Sequence, residues 1–209
     1  MEISAAHRQI LLNAARASIE GALRGRPPGM VMPVPDDPVL SMAAGCFVTL
    51  HDRSSRRLRG CIGRLESRDP LLKSINETAC SVLQDPRFRS HPVTVEEMVR
   101  LDLEISVLSP LREAANVLDF DPPTEGIYLM CDGRVGTFLP QVARETGWSR
   151  EQLLTRLCTE KMGLSATAWQ EGGVKLLKYS VVVIGPEPLV KETVGSEVGV
   201  FGKGNVFRV

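Results

Sequence analysis

Cys61 stands between two glycines in the run Leu58-Arg59-Gly60-Cys61-Ile62-Gly63, and arginines occupy positions 53, 56, 57, 59, 64 and 68 around it. That is a setting in which a thiol does chemistry, because nearby guanidinium groups favour the thiolate that attacks carbon or binds metal. Glycines on both sides let a ligand approach the backbone closely, or let a bulge re-aim the side chain. The same arginines welcome a carboxylate or a phosphate. Cys61 is therefore the candidate nucleophile, with Arg59, Gly60 and Gly63 as candidate ligand-binding positions. The plainer reading makes Cys61 a small apolar filler in a tight glycine turn among solvated arginines.

A nucleophilic cysteine needs a base. Aligning apolar with apolar positions pairs Leu50 with Leu58, Val48 with Gly60 and Cys46 with Ile62. Cys46 then faces the core, whereas Cys61 shares the other face with Phe47, Thr49, His51, Arg57 and Arg59. In this register His51 lies opposite Arg57, about 13 Å along the strand from Cys61, too far to serve. His91 comes close only through the fold, and His7 lies in the first helix. Three histidines without paired spacing and five cysteines without a Cys-x-x-Cys give no expectation of a metal or another cofactor.

Two further positions carry useful chemistry. In Leu101-Asp102-Leu103-Glu104-Ile105-Ser106-Val107-Leu108 the polar residues project from one strand face, the apolar ones from the other. If the polar face lines a cleft, Glu104 is a candidate acid, base or counter-ion, with Ser106 beside it; the bland alternative is a solvated strand face. Gln141 sits just inside a helix opened by Pro140, where free amide groups attract anions.

The elements that must position these residues follow from periodicity. Residues 4–24 read as a helix capped by Ser4, and the prolines of residues 26–40 mark a loop. A hairpin of residues 45–51 and 57–64 presents Cys61. Residues 70–84 form an amphipathic helix that stops at Asp85-Pro86, and Thr94 with Glu97 reads as a capping box before the alternating strand 101–108. A second hairpin turns at Asp132-Gly133, two short helices start at Pro140 and Ser149, and a strand spans 174–184. Helices and hairpins interleave without a regular βαβ rhythm, so the class is α+β. Residues 1–189 form the domain and 190–209 a Gly-rich tail.

The charge balance is even, with 25 basic and 25 acidic residues. Neither nucleic acid nor an anionic membrane is an expected partner of such a chain. The N-terminus lacks a secretory pattern, and the longest apolar run, Val181 to Ile184, is far too short to span a bilayer. With an odd number of widely spaced cysteines, the expectation is a cytoplasmic protein with reduced thiols.

Several segments together resemble one family. Gly45-Cys46-Phe47-Val48-Thr49-Leu50, the Leu58–Gly63 turn, Asp85-Pro86-Arg87-Phe88, Leu103–Leu108, Leu139-Pro140-Gln141-Val142, Gly147-Trp148 and Lys161-Met162-Gly163-Leu164 occur in the order seen in the AMMECR domain. In prokaryotes that domain is known as protein A of the AmmeMemoRadiSam system. The resemblance spans about residues 6–185. It implies a two-lobed α+β domain, antiparallel sheets flanked by helices, a cleft between the lobes, and Memo-like and radical SAM proteins as partners. It supplies no established activity. The family's recurring positions fall here on Arg59, Gly60, Cys61, Glu104, Gln141 and Trp148; Glu125-Gly126 departs from the His-Gly of many relatives. Two functions follow as expectations. One is a module that binds an anionic small molecule or a partner protein beside the Leu58–Gly63 turn. The other is an enzyme using Cys61, with Glu104 as acid or base.

Overall fold

The computed structural model describes residues 2–26 and 36–190. The middle of the proline-rich loop and the tail after Val190 lie outside the described residues. Helix α1 (Ala5–Leu23) starts where the Ser4 side chain accepts the His7 amide hydrogen, and its apolar stripe buries Leu11, Leu12, Ala15 and Ile19. Helix α2 (Leu71–Ser81) buries Leu71, Leu72, Ile75 and Ala79 in the same way. Its pattern continues through Val82–Gln84 as a tighter 3-10 turn. The run ends at Asp85, since Pro86 has no amide to continue it.

The strands are β1 (Cys46–Asp52), β2 (Leu58–Arg64), β3 (Leu101–Leu108), β4 (Arg112–Glu113), β5 (Glu125–Cys131), β6 (Arg134–Phe138) and β7 (Lys175–Pro188). They form one antiparallel sheet in the order β2-β1-β3-β7-β5-β6, with β4 also on β7. The expectation of an α+β fold is met, but the several sheets are one, and the reason is β7. Its first half pairs with β5 and its second half with β3. The strand was expected to end at 184; it runs on to Pro188.

Two apolar cores sit on this sheet. In one, α1 and α2 pack on Val48, Leu50, Leu103, Ile105 and Val107. In the other, α3 (Pro140–Thr146), α4 (Arg150–Arg156) and a π-type turn (Leu157–Met162) cover Ile127, Leu129 and Phe138. These are the two lobes. Local chemistry fixes the joints between elements: Asp132 and Gly133 both take positive φ in the β5–β6 turn, and Ser149 with Gln152 forms a full capping box. No helix among the described residues is long and apolar enough to cross a membrane.

The first hairpin differs from its expected register by two residues. Leu50 pairs with Gly60, Val48 with Ile62 and Thr49 with Cys61. Side chains alternate with period two, so a two-residue slip leaves Gly60, Cys61 and Ile62 on the faces assigned to them, whereas Leu58, expected on the apolar face, comes to stand opposite His51 and is exposed. The slip is absorbed near the turn, where Leu50 faces Gly60 but His51 faces Leu58, leaving Arg59 as the extra residue of a bulge. The capping box expected at Thr94 and Glu97 is also absent: the five-residue 3-10 helix Glu96–Arg100 has no side-chain cap, and the Glu97 carboxylate turns to Arg59 instead.

Candidate functional site

Antiparallel pairing sets Cys61, Thr49 and Glu104 side by side in one row across β2, β1 and β3. Residues directly opposite one another share a sheet face, here the face turned away from α1 and α2. Thr49 is the buried floor of the row at 7% exposure. Cys61 and Glu104 stand half-open on either side, and Glu104 is the one residue of β3 that is not buried. The face opens here.

The neighbouring rows frame this opening. On one side Phe47 lies between Gly63 and Ser106. A methyl group on Gly63 would stand 2.4 Å from the Phe47 ring, so only glycine lets the ring lie there. Ser106 is buried and accepts a hydrogen bond from Gln141 Nε2 at 3.1 Å, which ties α3 to the face; Gln141 Oε1 is buried without a partner. On the other side His51 stands opposite Asp102, whose carboxylate accepts from Arg53 at 3.1 Å and Arg56 at 2.9 Å.

Cys61 itself is held from its edge. Its amide donates to Asp85 Oδ2 at 2.9 Å, and its carbonyl accepts from Arg87 Nη2 at 3.1 Å. Asp85 also accepts from Arg87 at 2.6 Å, so the pair acts as a short substitute strand beside β2. The Thr49 hydroxyl donates to Cys61 Sγ at 3.2 Å.

The arginine-rich surroundings predict a lowered thiol pKa, and the structure reverses this. Burial pushes the Cys61 thiol up; the Thr49 hydrogen bond and Arg87 pull it down less strongly, while Asp85 and Glu104 add to the rise. The guanidinium that acts on the thiol belongs to Arg87, and Asp85 already neutralises it.

Arg59 is engaged elsewhere. Its Nε donates to Glu97 Oε1 at 2.6 Å, its Nη2 to Glu97 Oε2 at 3.0 Å and to the His91 carbonyl at 2.7 Å, and its guanidinium lies 5.5 Å from the Phe88 ring centre. Gly60 faces the core, where an added methyl would meet the Val82 carbonyl oxygen at 3.0 Å. Trp148 lies in the other lobe, its ring 6.5 Å from Phe138 and capped by Arg156 at 5.3 Å. It borders an open hollow of about 480 Å³ along α4.

Of the positions singled out on sequence, the fold thus gathers Cys61, Glu104, Ser106 and Gln141, with Gly63 beneath Phe47. It leaves Trp148 in the other lobe. The corrected register also moves His51 to one row from Cys61, roughly 7–8 Å as a diagonal neighbour instead of about 13 Å. That is still beyond hydrogen-bond reach. Asp85 and Arg87 were missed as site residues because Asp-Pro reads first as a helix stop; a carboxylate and a guanidinium two residues apart next to that stop were the available signal. Among the described residues no three His, Cys, Asp or Glu side chains converge as metal ligands.

Comparison with known proteins decides the kinship, for the AMMECR1 family model matches residues 12–184, a span that holds the whole polar face. The chain belongs to the AMMECR1 family. This AMMECR1 protein is 37% identical to protein MJ0810 of Methanocaldococcus jannaschii over 81% of its own length and 85% of the relative's. It is 34% identical to protein PF1979 of Pyrococcus furiosus, covering 86% of this chain and 88% of the other. The crystal structure of the uncharacterized protein PH0010 from Pyrococcus horikoshii matches this AMMECR1 fold with a TM-score of 0.71 at 32% identity, over 83% of this chain and 88% of that one.

Proposed function

We propose that the protein is a binding module that receives a small molecule, or a group of a partner protein, on the polar face around Cys61 and Glu104. Its working company, on the family resemblance, is a Memo-like protein and a radical SAM enzyme. The row Cys61–Thr49–Glu104 carries this reading: two half-open polar side chains flank a buried floor on a sheet held rigid by the Asp85–Arg87 clamp. Rigid strands hold a recognition surface in place without a catalytic step.

The arginines of the turn argue on sequence for an anionic ligand. In the fold four of the six guanidinium groups are occupied: Arg59 by Glu97, Arg53 and Arg56 by Asp102, and Arg64 by Glu77. In the Cys61–Thr49–Glu104 row, Glu104 is a carboxylate that none of these arginines pairs with.

A cysteine-dependent enzyme is the second reading, favoured by the half-open thiol with a hydroxyl donor on its sulfur. It lacks a base at hydrogen-bond distance from Sγ among the described residues, and burial keeps the thiol protonated at neutral pH. Iodoacetamide labelling of all five cysteines across pH separates the two. A binding module gives slow labelling of Cys61 at pH 7, accelerating only in the alkaline range. Labelling of Cys61 at pH 7 faster than at the other cysteines would overturn the binding reading in favour of the enzyme.

A further inference from the structure

We infer that the polar face takes a protonated nitrogen group of its ligand, an amine or a guanidinium, at Glu104. This rests on the reading of the face as a binding site and adds the ligand's chemistry.

The argument starts from what the face offers. Among the described residues no hydrogen bond or ion pair reaches the Glu104 carboxylate. A half-open carboxylate on a sheet face, with no partner of its own, is the natural counter-ion for a cation that docks there. Four of the arginines around this face are already engaged. Arg53 and Arg56 are held by Asp102, Arg87 by Asp85 and Arg59 by Glu97.

Beside Glu104 the stronger hydrogen-bonding groups offer acceptors, and the Cys61 thiol is only a weak donor. The Thr49 hydroxyl hydrogen is committed to Cys61 Sγ, so its oxygen can only accept from a ligand. One N–H of Gln141 goes to Ser106, and its Oε1 is buried without a donor. Ammonium and guanidinium groups carry several donors and no acceptor, the complement of such a set. A carboxylate or phosphate would place acceptor against acceptor and like charge beside Glu104.

The surrounding charges fix where the cation goes. One row away, Asp102 is outnumbered by Arg53 and Arg56, and this excess of positive charge repels a cationic group from that end. On the thiol side Asp85 and Arg87 cancel. Phe47, half-buried one row on the other way, offers a neutral ring against which the aliphatic part of a ligand can lie.

The experiment is an amide-shift titration of the folded protein with n-butylammonium and methylguanidinium, against butyrate and methyl phosphate, at constant ionic strength. The expected result is saturable shifts at Thr49, Cys61 and Glu104 with the two cations only, weakened about tenfold in Glu104→Gln. Saturation of the same amides by the anions, with equal affinity in the variant, overturns the assignment of ligand chemistry and leaves the binding site standing. If none of the four probes moves this row in the wild-type protein, both the assignment and the binding site fall. The wild-type contrast between cations and anions decides the matter even if the variant folds poorly.

Discussion

Asp85 holds both backbone groups of Cys61, accepting from the Cys61 amide directly and, through Arg87, reaching the Cys61 carbonyl. Asp85 is 2% exposed, whereas the Arg87 side chain is about half in solvent, so the carboxylate is the buried half of the clamp. Removing it strands a backbone donor on the edge of β2 and releases the arginine. The expected cost of Asp85→Ala is about 3 kcal/mol in chemical denaturation, with Asp85→Asn nearer half of that because one acceptor oxygen survives. The clamp also gives the protein an acid limb. Arg87 and the amide hydrogen bonds hold the Asp85 carboxyl down to about 2 from 3.8. A carboxyl depressed in the folded state stabilises fully above the unfolded value, and that stabilisation is lost as the pH falls from about 4 through about 2. The stability gap between wild type and Asp85→Asn should therefore close over that window; a gap that stays constant removes the clamp from the account.

Arg59 and Glu97 form a paired unit of another kind. Their side chains are 15% and 21% exposed, and Arg59 is the extra residue of the bulge in β2. Truncating Arg59 to Ala leaves a half-buried carboxylate, with an expected loss of about 2 kcal/mol. Replacing both partners with apolar residues, as in Arg59→Met with Glu97→Leu, should recover most of it. Thermal unfolding of the two singles and the double measures this coupling. If the double variant is as unstable as the sum of the singles, the pair is not a unit.

The glycines flanking Cys61 have different duties, and substitution separates them. Alanine at 63 drives a methyl into the Phe47 ring and the Cys46 carbonyl oxygen, at 2.4 Å and 2.3 Å. Alanine at 60 meets only the Val82 carbonyl and side chain, at 3.0 Å and 3.2 Å. Gly63→Ala should cost about 2 kcal/mol or more, whereas Gly60→Ala should cost under about 1 kcal/mol, since the loss of unfolded-chain freedom offsets part of the crowding. Equal melting temperatures for the two variants would contradict this.

How far the sequence reaches is clear from these same residues. The polar face of β3 and the side of Cys61 were legible because both rest on period-two alternation, which a two-residue slip of register leaves intact. What alternation cannot show is who pairs with whom. The arginines suggested a positive surface because spacing counts charges without locating their partners; Glu97, Asp102 and Glu77, up to 49 residues away in the chain, engage four of those six arginines. The thiol pKa went astray for the same reason, since burial outweighs charge there and burial is a property of the packed molecule. Caps whose partners lie within one turn, Ser4 with His7 and Ser149 with Gln152, were read correctly. The box at Thr94 failed because a residue elsewhere in the fold made the better offer to Glu97.

The sharing of β7 by two cores has an implication for assembly. Ile184 completes the packing under α1 and α2, and Leu176 does the same beneath α4, so a stretch of 14 residues late in the chain closes both halves. Until that stretch is in place, β3 and β5 each present an open side to the solvent. Acquisition of structure in the two halves should accordingly be coupled in time, with the earlier segments waiting, unfinished and prone to self-association, for a strand made long after them.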